Sequence, residues 1–230
     1  MLKKNKVEHI FFDLDHTLWD FDKNSALTFD FLFKKHAVNT KLEDFLQFYE
    51  PINLKYWKLY RDEKVTKDNL RYNRLKETFD ALQFSIDEDL INILSEDYIT
   101  HLSSFNHVFD GTIELLDYLK NKYNLHIITN GFKEAQNNKL KGSKLDHYFA
   151  TVTSAEVVGV KKPNPEIFNF ALNLANANSA NSIMIGDNYE ADILGALDIG
   201  LDAICFNYHK ATISPEIKVV NHLLDIKKYL

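Results

Sequence analysis

The chain has 230 residues, 45% of them hydrophobic, with a formal net charge of -6 and a pI near 5.8. That length carries one large domain, or a core domain with a smaller one inserted. The mildly acidic balance argues against a protein that lives on nucleic-acid backbone, which needs a basic face, and no stretch approaches the ~20 apolar residues of a membrane span. The single cysteine, Cys205, excludes an intramolecular disulfide and, set in an apolar run, reads as a buried core thiol. Residues 1–6 are basic, but the apolar run that follows is only Ile10-Phe11-Phe12 and is interrupted by Asp13, too short for a secretory signal core. These features favour a cytoplasmic protein.

In chain order, His9-Ile10-Phe11-Phe12 is the first strand. Residues 22–105 then contain no strand-like run; their apolar residues recur at helical spacing (Leu27 and Phe31, Phe45 and Tyr49, Leu75 and Phe79, Leu90 and Leu94), with Pro51 expected to separate or kink two helices. From residue 110 onward strands and helices alternate. The strands are Leu125-His126-Ile127-Ile128, a weaker Ala150-Thr151-Val152-Thr153, Ser182-Ile183-Met184-Ile185 and Ala203-Ile204-Cys205-Phe206. Helices are expected over 111–122, over 163–175 with Pro163 opening it, and over 189–197, stopped before Gly200. Continuous rather than alternating apolar runs suit parallel strands covered on both faces. The expected fold is therefore α/β, a doubly wound parallel sheet (1–21 and 106–230) with an inserted all-helical domain (22–105) placed as a lid.

Four polar features fall at the carboxyl ends of expected strands, where parallel sheets bind their ligands. Asp13 and Asp15 leave the first strand; two carboxylates so close are costly without a cation, and hard oxygen ligands suit Mg²⁺. Thr129-Asn130-Gly131 offers a compact set of donors for an anion, or an ordinary helix cap. Lys162 precedes Pro163 and can aim a fixed charge at a phosphate; taken alone, a solvated basic loop is the simpler reading. Asp187 leaves the strand before Asn188, and Asp192 lies a little over one helical turn on, as a metal ligand and its supporting carboxylate or as plain helix-start acids. Each feature alone is ambiguous, but all four occupy one edge of one sheet.

With these motifs in order, the sequence resembles the haloacid dehalogenase superfamily of aspartyl phosphohydrolases over essentially its whole length: Asp13-Leu14-Asp15-His16-Thr17, Thr129-Asn130-Gly131, Lys162 before Pro163, and Gly186-Asp187 with Asp192. The helical insert is similar to the C1-type cap of that superfamily. The stretches Leu18-Trp19-Asp20-Phe21-Asp22, Ile52-Asn53-Leu54-Lys55-Tyr56-Trp57, Leu70-Arg71-Tyr72-Asn73-Arg74 and Val157-Val158-Gly159-Val160-Lys161-Lys162-Pro163 resemble its 5'-nucleotidase branch.

The resemblance implies a Mg²⁺-dependent phosphatase. In it Asp13 is nucleophile and metal ligand, and the Asp15 side chain is general acid and base. The Asp15 carbonyl and Asp187 are further metal ligands, supported by Asp192, and Thr129, Asn130 and Lys162 (with Lys161 as the fallback) bind phosphate. The substrate expected is a small phosphorylated metabolite, first a nucleoside monophosphate, with no nucleic acid or membrane as partner and the chain a monomer or homodimer. Sugar-phosphate or phosphoglycolate phosphatases and phosphomutases share the motifs and are the alternative; a dehalogenase or a non-catalytic binding module is a remote one, because a dehalogenase lacks the second aspartate. His16 stands where the superfamily often has glycine, and reads as a turn residue that can also touch substrate. Arg71 and Arg74 are candidate substrate contacts, whereas Trp57, Tyr56, Tyr60 and Tyr72 are read chiefly as helix packing.

Overall fold

A computed structural model describes residues 6–230; the basic residues 1–5 lie outside the described residues. The chain divides into two compact units, one of residues 6–20 and 106–230 and the other Phe21–Phe105.

The first unit is built on six parallel strands, β1 (His9–Phe12), β2 (Asn124–Thr129), β3 (Thr151–Ser154), β4 (Ser182–Gly186), β5 (Asp202–Phe206) and β6 (Lys218–Val220), in the order β3-β2-β1-β4-β5-β6. The order reverses across β1 and β4, which is where such sheets open a crevice at their carboxyl edge. β6 escaped the sequence reading: its three residues, one of them the lysine that pairs with Asp202, carry too little periodicity to register. β1 is central and wholly buried, as its unbroken apolar run requires. Phe12 is level with Ile127 of β2 and Ile185 of β4, so the residues that follow the three strands emerge side by side.

The helical unit consists of α1 (Phe21–Lys35), α2 (Leu42–Arg61), α3 (Lys67–Ala81) and α4 (Glu88–His101). Thr66 and Asp87 cap α3 and α4, their side chains accepting the Asn69 and Leu90 amides at 3.2 and 2.7 Å. An interior of aromatic rings holds the four helices: Phe29 lies 4.6–4.8 Å from Phe45, Tyr49 and Tyr98, ring centre to ring centre. The helical unit departs from expectation in two places. Pro51 does not separate two helices; α2 runs through it from Leu42 to Arg61, with Lys55 bonded to Glu77 and Asn53 to Arg74 of α3 beyond the proline. Tyr56, Trp57, Tyr60 and Tyr72 are not core: all four are half-buried, and the packing role falls to Phe29, Phe45, Tyr49, Phe79 and Tyr98.

In the α/β unit, α5 is Thr112–Leu119, α6 Lys133–Gly142, α7 Ala155–Val158, α8 Pro165–Leu174 and α9 Gly195–Asp198. Pro165, not Pro163, opens α8; Asn164 precedes it and caps the helix by accepting the Glu166 amide at 2.9 Å, which leaves Pro163 to the loop that carries Lys162. The segment expected as one helix over 189–197 starts instead as a π-helical turn, Tyr189–Leu194, with the Ile193 amide reaching back five residues to the Asn188 carbonyl at 3.4 Å. Such widened turns gather at functional sites, and this one carries Asp192. One face of the sheet is sealed by Phe11, Ile128, Met184 and Cys205 against Ile167, Phe168 and Ile193.

Candidate active site

The site is assembled from residues at and beyond the carboxyl ends of β1, β2 and β4, with Lys162 from the loop between α7 and α8. The Asp13 amide donates to the Ile185 carbonyl at 2.9 Å, which fixes the end of β1 beside β4. Gly186 then has to be glycine, because a Cβ there would collide with the Asp192 carboxylate. Asp13, Asp187 and Asp192 offer carboxylate oxygens within 4.8 Å of one another. Lys162 Nζ lies 2.5 Å from Asp13 Oδ1, 2.6 Å from Asp192 Oδ1 and 2.8 Å from the Ile128 carbonyl. Of the adjacent lysines it is Lys162, only 2% exposed, whose ammonium sits in the cluster.

Three carboxylates against one ammonium in a buried place leave an excess of negative charge. Burial pushes the Asp13 carboxyl well above the usual carboxylate range, with Lys162 opposing and Asp192 and Asp187 adding to the rise. Asp192 is raised for the same leading reason. Burial also works to raise Asp187, but the hydrogen bond with His209 and the nearby His16, His209 and Lys162 outweigh it and hold that carboxyl low. Burial acts to strip Lys162 of its proton, and Asp13 and Asp192 more than reverse this, so its ammonium is locked in. A divalent cation held by oxygen fits this donor set.

Thr129, 1% exposed, accepts the Gly131 amide at 3.0 Å and the Gln136 side-chain amide at 2.6 Å, so it does not cap the helix that follows. The Asn130 side chain fastens the neighbouring loop, donating to the Lys162 carbonyl at 3.0 Å and accepting the Lys162 amide at 2.7 Å. The Asn130 side chain thus sets where Lys162 stands.

Asp15 faces a pair of groups that the sequence reading did not single out. Lys139 Nζ lies 2.6 and 2.9 Å from its two oxygens, and Gln136 Nε2 donates to it at 3.0 Å. Both come from α6, three residues apart on one buried face, and Lys139 also lies 4.5 Å over the Trp19 ring. A lysine and a glutamine on the inward face of the helix after Thr129-Asn130-Gly131 were the signal available. Two further partners of Asp187 were missed: Thr17 Oγ1 donates to Oδ1 at 3.1 Å, and His209 Nε2 stands 3.0 Å from Oδ2. His209 follows β5, in a stretch with no motif.

His16 takes the left-handed conformation, φ 60°, that glycine adopts freely, with its amide on the Trp19 carbonyl at 3.0 Å; its ring stacks on Tyr208 at 5.4 Å. Arg71 and Arg74 belong to the helical unit. Arg71 is half-buried, but Arg74 is turned inward rather than toward solvent: it donates to Asn53 Oδ1 at 2.9 Å and lies 4.8 Å over the Tyr98 ring. Arg74, a candidate substrate contact in the sequence, is thus engaged in the interior of the helical unit.

The haloacid dehalogenase-like hydrolase family model matches residues 10–206, from β1 to the end of β5 and so across every motif of the site. The chain belongs to the haloacid dehalogenase-like hydrolases. Within that family it is 33% identical over 205 residues to the pyrimidine 5'-nucleotidase YjjG of Escherichia coli, covering 89% of this chain and 88% of the relative. It is 31% identical over 202 residues to the pyrimidine 5'-nucleotidase PynA of Streptococcus pneumoniae, covering 87% and 84%. Among solved structures, the HAD-hydrolase YfnB of Bacillus subtilis bound to magnesium superimposes with a TM-score of 0.87 at 26% identity, covering 98% and 99% of the two chains. No helix among the described residues is long and apolar enough to cross a membrane.

Proposed function

We propose that this haloacid dehalogenase-like hydrolase is a Mg²⁺-dependent phosphatase of nucleoside 5'-monophosphates, working through an aspartyl-phosphate on Asp13. The observation that carries the reading is the cluster of Asp13, Lys162, Asp187 and Asp192, with a second aspartate, Asp15, two residues after the first. A nucleophile alone suits displacement of a halide; a nucleophile with an adjacent acid suits a leaving alkoxide that must be protonated.

Asp13 attacks phosphorus in line and the ester P–O bond breaks. Asp15 gives its proton to the departing alkoxide, then takes one from the water that attacks the phosphoryl group and frees Asp13. To do so its carboxyl must exchange the Lys139 contact for the substrate oxygen. Lys162, the Thr129 hydroxyl and the Asn130 backbone N–H hold the phosphoryl oxygens where charge collects. Bound Mg²⁺, on the side chains of Asp13 and Asp187 and the Asp15 carbonyl with Asp192 orienting that shell, supplies the positive charge that offsets repulsion between carboxylate and phosphate dianion.

The preference for nucleotides rests on the identity shared with YjjG and PynA. The helical unit is read as the cap: it is inserted directly after the strand that leads to Asp13, and Trp19, just before it, is bridged to Val108, just after it. In this reading the enzyme acts in the cytoplasm, as a monomer or a homodimer, on a small phosphorylated metabolite. Phosphate release by the Mg²⁺-loaded protein should be compared across nucleoside monophosphates, sugar phosphates and phosphoglycolate. A kcat/KM at least about tenfold higher on pyrimidine nucleoside monophosphates is expected, ~1.4 kcal/mol of preference; equal rates on all of them would defeat the nucleotide assignment.

A further inference from the structure

Asp187 belongs to two clusters. One is the acidic set with Asp13 and Asp192; the other joins it to His16 and His209, whose donor atoms lie with a carboxylate oxygen of Asp187 within 4.8 Å of one another. The second cluster differs from the first in kind, since two of its three donors are imidazole nitrogens. His209 Nε2 and Asp187 Oδ2 are 3.0 Å apart. A zinc ion with bonds of about 2.0–2.1 Å holds neighbouring donors roughly 3.3 Å apart, so that pair already stands at ligand spacing. The two imidazole rings meet edge to face with centres 5.0 Å apart, and the His16 ring is steadied by its stack on Tyr208. His16 is nearly buried, while His209 keeps 29% of its side chain exposed, which leaves a path from solvent. The turn that presents the His16 ring holds a left-handed residue, a place where glycine costs least, so a histidine there adds a donor that the backbone does not ask for.

We propose that His16, His209 and Asp187 form a second cation site, selective for a borderline divalent ion of the zinc class and sharing Asp187 with the acidic cluster. Imidazole ligands suit zinc, cobalt and nickel, whereas magnesium takes hard oxygen and keeps its waters, so the two sites sort ions by donor type. Two imidazoles and one carboxylate leave at least one position open to water or to another ligand. Asp187 Oδ1 accepts from Thr17 and Oδ2 faces His209, so an ion on the histidines engages the same carboxylate that the acidic cluster uses. Occupancy of one site is therefore felt at the other.

The inference uses the geometry of Asp187 and its neighbours and does not need the phosphatase reading to hold. The test is metal binding, with no turnover in the readout. Mg²⁺-saturated protein is titrated with Co²⁺, following visible ligand-field bands, and separately with Zn²⁺ by calorimetry. One equivalent of each beyond the bound Mg²⁺ is expected, with the band intensity of a nitrogen-ligated, low-coordinate cobalt. His209→Gln and His16→Gly, each checked for an unchanged thermal melt, should weaken that equivalent about tenfold or more, and the double variant should lose it. The glycine variant suits the left-handed turn, so a folding failure of the other substitution leaves a usable test. Absence of an extra equivalent would mean that His209 and Asp187 form an ion pair only, and would overturn the proposal. So would an extra equivalent that the double variant binds unchanged, since the ion would then sit on the acidic cluster.

Discussion

The two units bury polar groups in opposite ways. In the α/β unit, buried charge is concentrated at the carboxyl edge of the sheet, where Lys162 meets Asp13 and Asp192, and Lys139 meets Asp15. In the helical unit, the interior holds a single buried arginine, Arg74, among neutral partners: Asn53 at 2.9 Å and the faces of Tyr98 and Tyr49 at 4.8 and 5.9 Å. Opposed charges in a dry place are costly to assemble and are poised for chemistry. A cation spread over aromatic faces and an amide fixes how helices meet and leaves little for a reacting group to use. The same contrast runs inside the α/β unit. Away from the edge, the buried titratable pair is His9 with His126, 3.1 Å apart, and burial together with His9 pushes His126 down to about 4, so His126 is kept from charging.

The largest expected effect lies at the charged edge. Asp13→Asn should reduce phosphate release by about 10⁴-fold or more, ~5.4 kcal/mol in the barrier. It should leave the thermal melt unchanged or higher, because the amide still accepts from Lys162 while a carboxyl that burial disfavours is gone. Release at the wild-type rate would end the covalent assignment. A second test sharpens the contrast between edge and mid-sheet. The fold holds His126 neutral, so its contribution is complete above the free-imidazole pKa of about 6.5 and is lost as the pH falls from there toward 4. That contribution is worth up to about 3 kcal/mol. Chemical denaturation at pH 7 and pH 4.5 should show a smaller acid loss for His126→Gln than for the wild type; identical losses would refute it. The smallest effect is expected in the helical unit. Arg74→Met leaves buried Asn53 Oδ1 with only the longer bond from the Tyr49 hydroxyl at 3.4 Å and should cost about 1–3 kcal/mol of stability, while kcat changes less than tenfold. A collapse of kcat in a folded variant would show that the arginine works in the reaction, and the comparison between the units would fail.

Much of the site was legible because its residues sit at fixed places relative to strands. Asp13, Thr129 and Asp187 each follow an apolar run, and a parallel sheet brings such positions to one edge whatever the intervening loops do. Lys162 was legible through Pro163, although the helix it precedes begins later, because Asn164 is the better cap and Pro165 the better first residue. Lys139, Gln136 and His209 were not legible. Lys139 and Gln136 are two of the three buried residues of a short helix, against the expectation that inward faces are apolar, and His209 reaches Asp187 across 22 residues of chain from a stretch with no periodic signal.

By itself, then, the sequence determined the strand–helix alternation, the helical insertion after the first strand and the presence of two aspartates at the end of β1, because hydrophobic periodicity and strand ends are local properties. Tertiary structure alone decided the partner of each charge: Lys162 shared between Asp13 and Asp192, Asp15 held by Lys139, Asp187 claimed by Thr17 and His209, and Arg74 turned inward. Burial and distance set which charges are paired, and both depend on contacts between residues far apart in the chain.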